Sequence, residues 1–132
     1  MPKNKLVVHF ADGHVLKGHS MDFNPNRSSF HLAAAKNPDI TAEIDMADLK
    51  AVFFVRDFRG DPTHTVRNEF DPDRSYIGKK LLVEFKDGER LAGVRQGYRP
   101  GRPGFFLTPA DPDCNTERAF IVKDAVKSVE EV

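Results

Sequence analysis

The sequence predicts an all-β protein built from two duplicated small five-stranded barrels in tandem, joined by an ordered connecting segment. Three observations carry that expectation. Apolar and polar residues alternate over short runs, the period of a strand with one buried face. Asp-Gly pairs stand between apolar runs, where they turn one strand into the next. The chain also repeats itself: "VVHFADGHVLKG" starts at Val7 and "LVEFKDGERLAG" at Leu82.

The repeat extends well beyond those twelve letters. Shifted by 75 positions, Lys5, Leu6, Val8 and Phe10 fall on Lys80, Leu81, Val83 and Phe85. Asp12-Gly13 falls on Asp87-Gly88, Leu16 on Leu91 and Gly18 on Gly93. Phe23 meets Tyr98, Pro25 meets Pro100, Arg27 meets Arg102 and Phe30 meets Phe105. After a further shift of two, Ala42 and Ile44 meet Ala119 and Ile121, and "LKAVFFV" (49–55) meets "VKSVEEV" (126–132). The boundaries are therefore 1–55 for the first repeat, 56–77 for the connector and 78–132 for the second repeat.

Each element has its own local reason. Leu6, Val8 and Phe10 alternate with Val7, His9 and Ala11, a first strand with one apolar face. Asp12-Gly13 and its counterpart Asp87-Gly88 predict hairpin turns, because glycine takes the positive φ that such turns demand. The second strand runs through Leu16 to Phe23, with Gly18 inside it; Gly93 is its counterpart. Glycine inside a strand predicts a bulge or a sharp bend. "NPNRSS" breaks the chain, "FHLAA" resumes a strand, "NPD" breaks it again and "ITAEIDM" alternates. "ADLK" predicts a short helical or 3₁₀ turn, and "AVFFV" a buried last strand. A bent second strand would let about five strands close on themselves. Repeats of this size are marginal as lone cores, so packing two together adds burial.

Composition narrows the class. With 39% apolar and 10% aromatic residues the chain is a folding sequence. Eleven Phe and no Trp predict Phe-rich cores. Lys+Arg and Asp+Glu both number 20, so net charge offers no general pull toward nucleic acid. Cys114 is the single cysteine, which excludes an internal disulfide. No apolar run approaches the roughly 20 residues of a membrane span. The expected setting is the cytoplasm, without a membrane.

The run "VVHFADGHVLKGHSMDF" resembles the first half of an Sm-like domain, a small SH3-like barrel. The matching features are Asp12-Gly13, Leu16, Gly18, Asp22 and Phe23, and in the second repeat Asp87-Gly88, Leu91, Gly93, Gly97 and Tyr98. The resemblance implies tandem Sm-like barrels. The stretches "LKAVFFVRDFRG" and "GYRPGRPGFFLTPADPDCNTERAFIV" also resemble a bacterial domain family of unassigned activity. That second resemblance implies a bacterial module, stand-alone or fused, near signalling and motility components.

The segment "RLAGVRQGYRPGRPGFF" (90–106) is the candidate anion or nucleic-acid site. It holds Arg90, Arg95, Tyr98, Arg99 and Arg102, with no Asp or Glu between Arg90 and Ala110. Arginine forks match phosphate, and a tyrosine face can stack a base. The same letters also fit a solvated hairpin shaped by Pro100 and Pro103, with Tyr98 in the core like Phe23. The connector (56–77) mixes both charge signs with Phe58, Phe70 and Tyr76. It predicts a segment packed on both repeats with some strand content, either an ion-paired linker or the wall of a ligand cleft. His9, His14 and His19 recur every five residues, a spacing that does not converge on a metal. Cys114 sits among acids, which dull a thiol, and reads as a turn residue. No catalytic motif is present. The expectation is a non-enzymatic binding or adaptor module with a protein partner, no cofactor and no metal. RNA or nucleotide binding through 90–106 is the alternative. Exposed strand edges permit a homodimer.

Overall fold

A computed structural model of the chain describes residues 4–60, 67–95 and 102–132. The strands of the first half are β1 (Asn4–Phe10), β2 (Val15–Ser20), β3 (Ser29–Ala34), β4 (Thr41–Asp45) and β5 (Leu49–Val55). Those of the second half are β6 (Lys79–Phe85), β7 (Arg90–Arg95), β8 (Gly104–Pro109), β9 (Thr116–Val122) and β10 (Val126–Glu131). One turn of 3₁₀ helix, Met46–Asp48, links β4 to β5, and another, Lys123–Ala125, links β9 to β10. The protein is all-β, and among the described residues there is no α-helix.

The strands form one antiparallel sheet of ten, in the order β10-β6-β7-β8-β9-β5-β1-β2-β3-β4. That order reads one five-strand sequence twice: fifth, first, second, third, fourth. The sheet is not closed, which corrects the expectation that each half closes on itself. For the first half to close, β4 would have to lie along β5. That side of β5 is instead held by β9, with Ala51 opposite Ile121, Val52 opposite Phe120 and Phe53 opposite Ala119. The other side of β5 pairs with β1. Strand β4 and strand β10 are left as the outer edges.

The shared pair β5–β9 carries both cores because successive side chains point to opposite faces. Val52, Phe54, Phe120 and Val122 join Leu6, Val8, Phe30 and Leu32 in the first core. Ala51, Ala119 and Ile121 join Leu81, Val83, Phe85 and Leu107 in the second. Burial on both faces explains why "LKAVFFV" is an almost unbroken apolar run. Phe23 sits on the first core, edge-on to Phe30, Phe54 and Phe120 at 5.0, 5.4 and 5.9 Å. Such pairs add roughly 0.5–1.5 kcal/mol each beyond area burial.

Gly13 and Gly88 have φ of 99° and 94°, as the Asp-Gly turns require. Gly18 and Gly93 do not mark bulges: the β1–β2 and β6–β7 ladders run through them in register. Their reason is close approach. A Cβ on Gly18 would run into the Ala33 carbonyl oxygen, and one on Gly93 would stand 2.5 Å from that of Thr108. The register shifts fall elsewhere: one lies in the β5–β9 ladder between Phe54 and Val55, and two fall at equivalent positions of the halves. Lys50 is the extra residue of β5 where β1 steps from His9 to Phe10, and Lys127 is the extra residue of β10 between Val126 and Ser128.

The described part of the connector, 56–60 and 67–77, contains no strand. It does pack on both halves. Lys5 and Lys17 donate to the Arg56 and Phe58 carbonyls, at 3.2 and 2.9 Å. Asn115 clamps the Asp57 peptide from the other half, accepting from its N–H at 3.1 Å and donating to its C=O at 2.6 Å. Asn68 does the same to β7, accepting from Ala92 N–H and donating to Arg90 C=O. A side-chain amide carries both a donor and an acceptor, so each Asn stands in for a peptide of a neighbouring strand. The connector's ion pairing centres on Asp111, which is 2% exposed and accepts from the Arg67 backbone N–H and guanidinium.

Gly93→Ala should lower stability by about 1–3 kcal/mol in urea unfolding, since the new methyl also meets Leu107 Cγ at 2.6 Å. Gly88→Val should cost at least ~1 kcal/mol through its positive φ. An unchanged unfolding midpoint for either variant would refute the role given to that glycine.

Candidate functional site

A cleft of about 470 Å³ lies where the two halves meet the connector. Its position follows from strand alternation. Leu6 and Val8 face the first core, so Val7 and His9 face the other way and form one wall. Phe53 and Val55 of β5 form the floor, Leu91 and Pro109 come from the second half, and Phe58 closes the connector side. The walls are apolar apart from His9. The rim is polar, with Lys17, Arg59, Asn68, Glu89, Arg90 and Asn115. An apolar body with a few fixed polar groups is the usual make-up of a ligand site.

His9 is the titratable group of the wall. Its ring stands edge-on to Phe53 at 4.6 Å between centroids. Burial depresses its basicity, and the opposing pull of Glu89 is weaker. His9 is therefore neutral at pH 7. His19 lies edge-on to Phe58 at 5.2 Å and helps to seat the connector.

A lysine ties the halves together beside this cleft. Lys50 Nζ lies 2.7 Å from Asp87 Oδ2 and 3.0 Å from Glu89 Oε2, and 4.7 Å from the centroid of the Phe85 ring. Burial opposes its charge, but the two carboxylates outweigh that and hold its pKa above the ordinary value. Asp87 is held below the usual carboxylate range by the same contact. Asp87 thus shapes its turn and also reaches across to the first half. The turn role is legible in Asp-Gly; the cross-half role is not.

The described arginines of 90–106 divide between two places. Arg90 lines the junctional cleft and sits 3.7 Å from Glu84. Arg95 and Arg102 share a different groove, of about 340 Å³, with Phe105, Lys123 and Lys127. Tyr98 and Arg99 lie outside the described residues, as does Gly97. Lys123 and Lys127 were not singled out by sequence reasoning. The available signal was the alignment of Lys127 with Lys50.

The remaining candidates take local partners. His14 bonds Asp12 of its own turn at 2.9 Å. His31 bonds Asp22 Oδ2 at 2.8 Å and lies 3.7 Å from Glu43. Among the described residues no three His, Cys, Asp or Glu side chains gather to hold a metal ion. Cys114 is buried in a turn, where burial pushes its thiol pKa up, and its Sγ donates to Thr116 C=O at 3.4 Å. Among the described residues no helix is long and apolar enough to cross a membrane.

Fold and cleft together define an all-β chain whose two halves share one sheet and enclose a junctional cavity. The chain belongs to a family of unknown function, DUF6982, whose model matches residues 2–132. No curated protein and no solved structure matches it.

Two histidines should titrate in opposite directions. The Asp22 hydrogen bond raises the pKa of His31 above the ordinary value of about 6.5, whereas burial lowers that of His9. The His31–Asp22 bond therefore helps most below that value and fades as pH rises through the folded His31 pKa. Imidazole proton shifts followed by NMR should show this order. In Asp22→Asn, His31 should fall back toward 6.5 while His9 stays put; an unmoved His31 would refute the pairing.

Proposed function

We propose that the chain is a non-catalytic binding module, an adaptor that seats an apolar side chain of a protein partner in the cleft between its halves. On this reading each half is a small Sm-like barrel opened along its fifth strand, and the module works in a bacterial cytoplasm. The single observation that carries the reading is the build of the cleft. Both halves and the connector contribute walls, the floor is strand rather than loop, and the charged groups stand at the rim around an apolar body that His9 enters as wall. A binding surface on rigid strands loses little entropy on engagement, which favours recognition. An aromatic or aliphatic anchor fits the wall chemistry, with Arg59 and Arg90 at the rim for a flanking acid.

Panning a displayed random-peptide library on the purified chain tests this. Enriched peptides should carry one large apolar residue and bind at tens of micromolar or better. Val7→Arg and Phe58→Ala should each weaken them about tenfold or more, roughly 1.4 kcal/mol, with thermal melting as the check that both variants fold. Peptides that bind both variants as well as the parent chain, or a library that does not enrich, would overturn the reading.

A further inference from the structure

The second groove has a chemistry unlike the junctional cleft. It lies in the second half, between the end of β7, the start of β8, the 3₁₀ turn at Lys123 and the edge strand β10. Four cationic side chains line it: Arg95, Arg102, Lys123 and Lys127. Among the described residues no acid lines it. Both arginines are half-buried, and both lysines are exposed. Arg95 lies over the Phe105 ring at 6.0 Å and within electrostatic reach of Glu131, which itself pairs with Lys79 at 3.0 Å. The backbone beneath is fixed, because Lys123 N–H donates to the Pro103 carbonyl at 2.9 Å and so docks the turn beside Arg102.

The first half shows what this position of the repeat does when filled. Lys50 and Lys127 are equivalent, and each is the extra residue of a bulge on the fifth strand. A bulge re-aims a side chain. Lys50 is aimed at two carboxylates of the second half, Asp87 and Glu89, and is 6% exposed. Lys127 has the same bulge but is exposed, and it is aimed into a groove with three further cations. Two of those cations are particular to the second half, while Arg102 has a counterpart in Arg27. The first half has Ser20 in place of Arg95 and Met46 in place of Lys123. One lysine is answered by two carboxylates; here Arg102, Lys123 and Lys127 stand with Arg95, which already interacts with Glu131, around one small volume, a density of positive charge that suits a polyanion.

We propose that this groove is an anion site for a compact ligand bearing adjacent phosphate groups, such as a nucleoside diphosphate. Arg95 and Arg102 supply planar forks for phosphate oxygens, and Lys123 and Lys127 supply point charges at the mouth. The apolar flank of Phe105, Val126 and Val129 is available to the remainder of such a ligand. This site is separate from the junctional cleft, and neither depends on the other.

Calorimetric titration of the whole chain at low salt with inorganic pyrophosphate, adenosine diphosphate and a single-stranded oligoribonucleotide tests it. Pyrophosphate and the diphosphate should bind at one site, with affinity falling as salt rises. Lys123→Gln combined with Lys127→Gln should weaken both at least tenfold. Both lysines are exposed, so the melting temperature should stay within a few degrees. Lys36→Gln with Lys86→Gln, the same loss of charge outside the groove, should leave binding unchanged. The proposal is overturned if neither small anion saturates, if the control pair weakens binding equally, or if only the oligoribonucleotide binds, which would make the groove a nucleic-acid surface.

Discussion

The pairing of β5 with β9 is the contact on which everything else rests. It gives the fifth strand of the first half a partner from the second half, and so removes the need for either half to close. Because the two strands are buried on both faces, the same ladder supplies Val52, Phe54 and Phe120 to one core and Ala51, Ala119 and Ile121 to the other. Truncating Phe120, 2% exposed, would open a cavity against Phe23 and Phe106 together. The junctional cleft is a by-product of that ladder. It occupies the angle between the β5 face not used by the first core and the connector that bridges the two halves.

Polar contacts then lock the arrangement. Asn68 and Asn115 extend the hydrogen bonding of strands into a segment that is not strand, and Asp111 gathers Arg67 and the Asp113 backbone N–H around one buried carboxylate. Removing an acceptor of this kind leaves several donors to find water, an effect of about 1–3 kcal/mol. Lys50 performs the matching task by joining β5 to the β6–β7 turn. The halves are thus joined by backbone pairing, by a connector and by one lysine, three independent means.

What was legible in the sequence is what local chemistry decides. Alternation located β1 and β4, the chain breaks around "FHLAA" located β3, the repeat carried β1 onto β6, Asp-Gly located two turns, and "ADLK" located the 3₁₀ turn before β5. Closure was not legible, because "LKAVFFV" states that a strand is buried on both faces without stating which strand lies beside it. Gly18 illustrates a second ambiguity. A glycine in a strand signals either a bulge or a neighbour's backbone too near for a Cβ, and only the ladder separates the two. The described arginines of the segment divide between two grooves for a geometric reason. Arg90 and Arg95 stand five apart on β7, so they point to opposite faces, one toward the junction and one toward the β10 groove. Lys123 and Lys127 reach that groove from a distant stretch of chain, where periodicity says nothing about them.

The outer edges of the sheet carry a consequence for how such a repeat can exist alone. A fifth strand that accepts a fourth strand from the next half is a head-to-tail joint, and its unused ends, β10 and β4, are of complementary kind. Left apolar, they would invite open-ended chains of molecules. The chain writes those ends differently. Where β5 has Phe53-Phe54, β10 has Glu130-Glu131, and where β9 has Phe120, β4 has Glu43. The duplication thus keeps one copy of the joint greasy and makes the other acidic, and like charge on the two outer strands opposes their pairing from one molecule to the next.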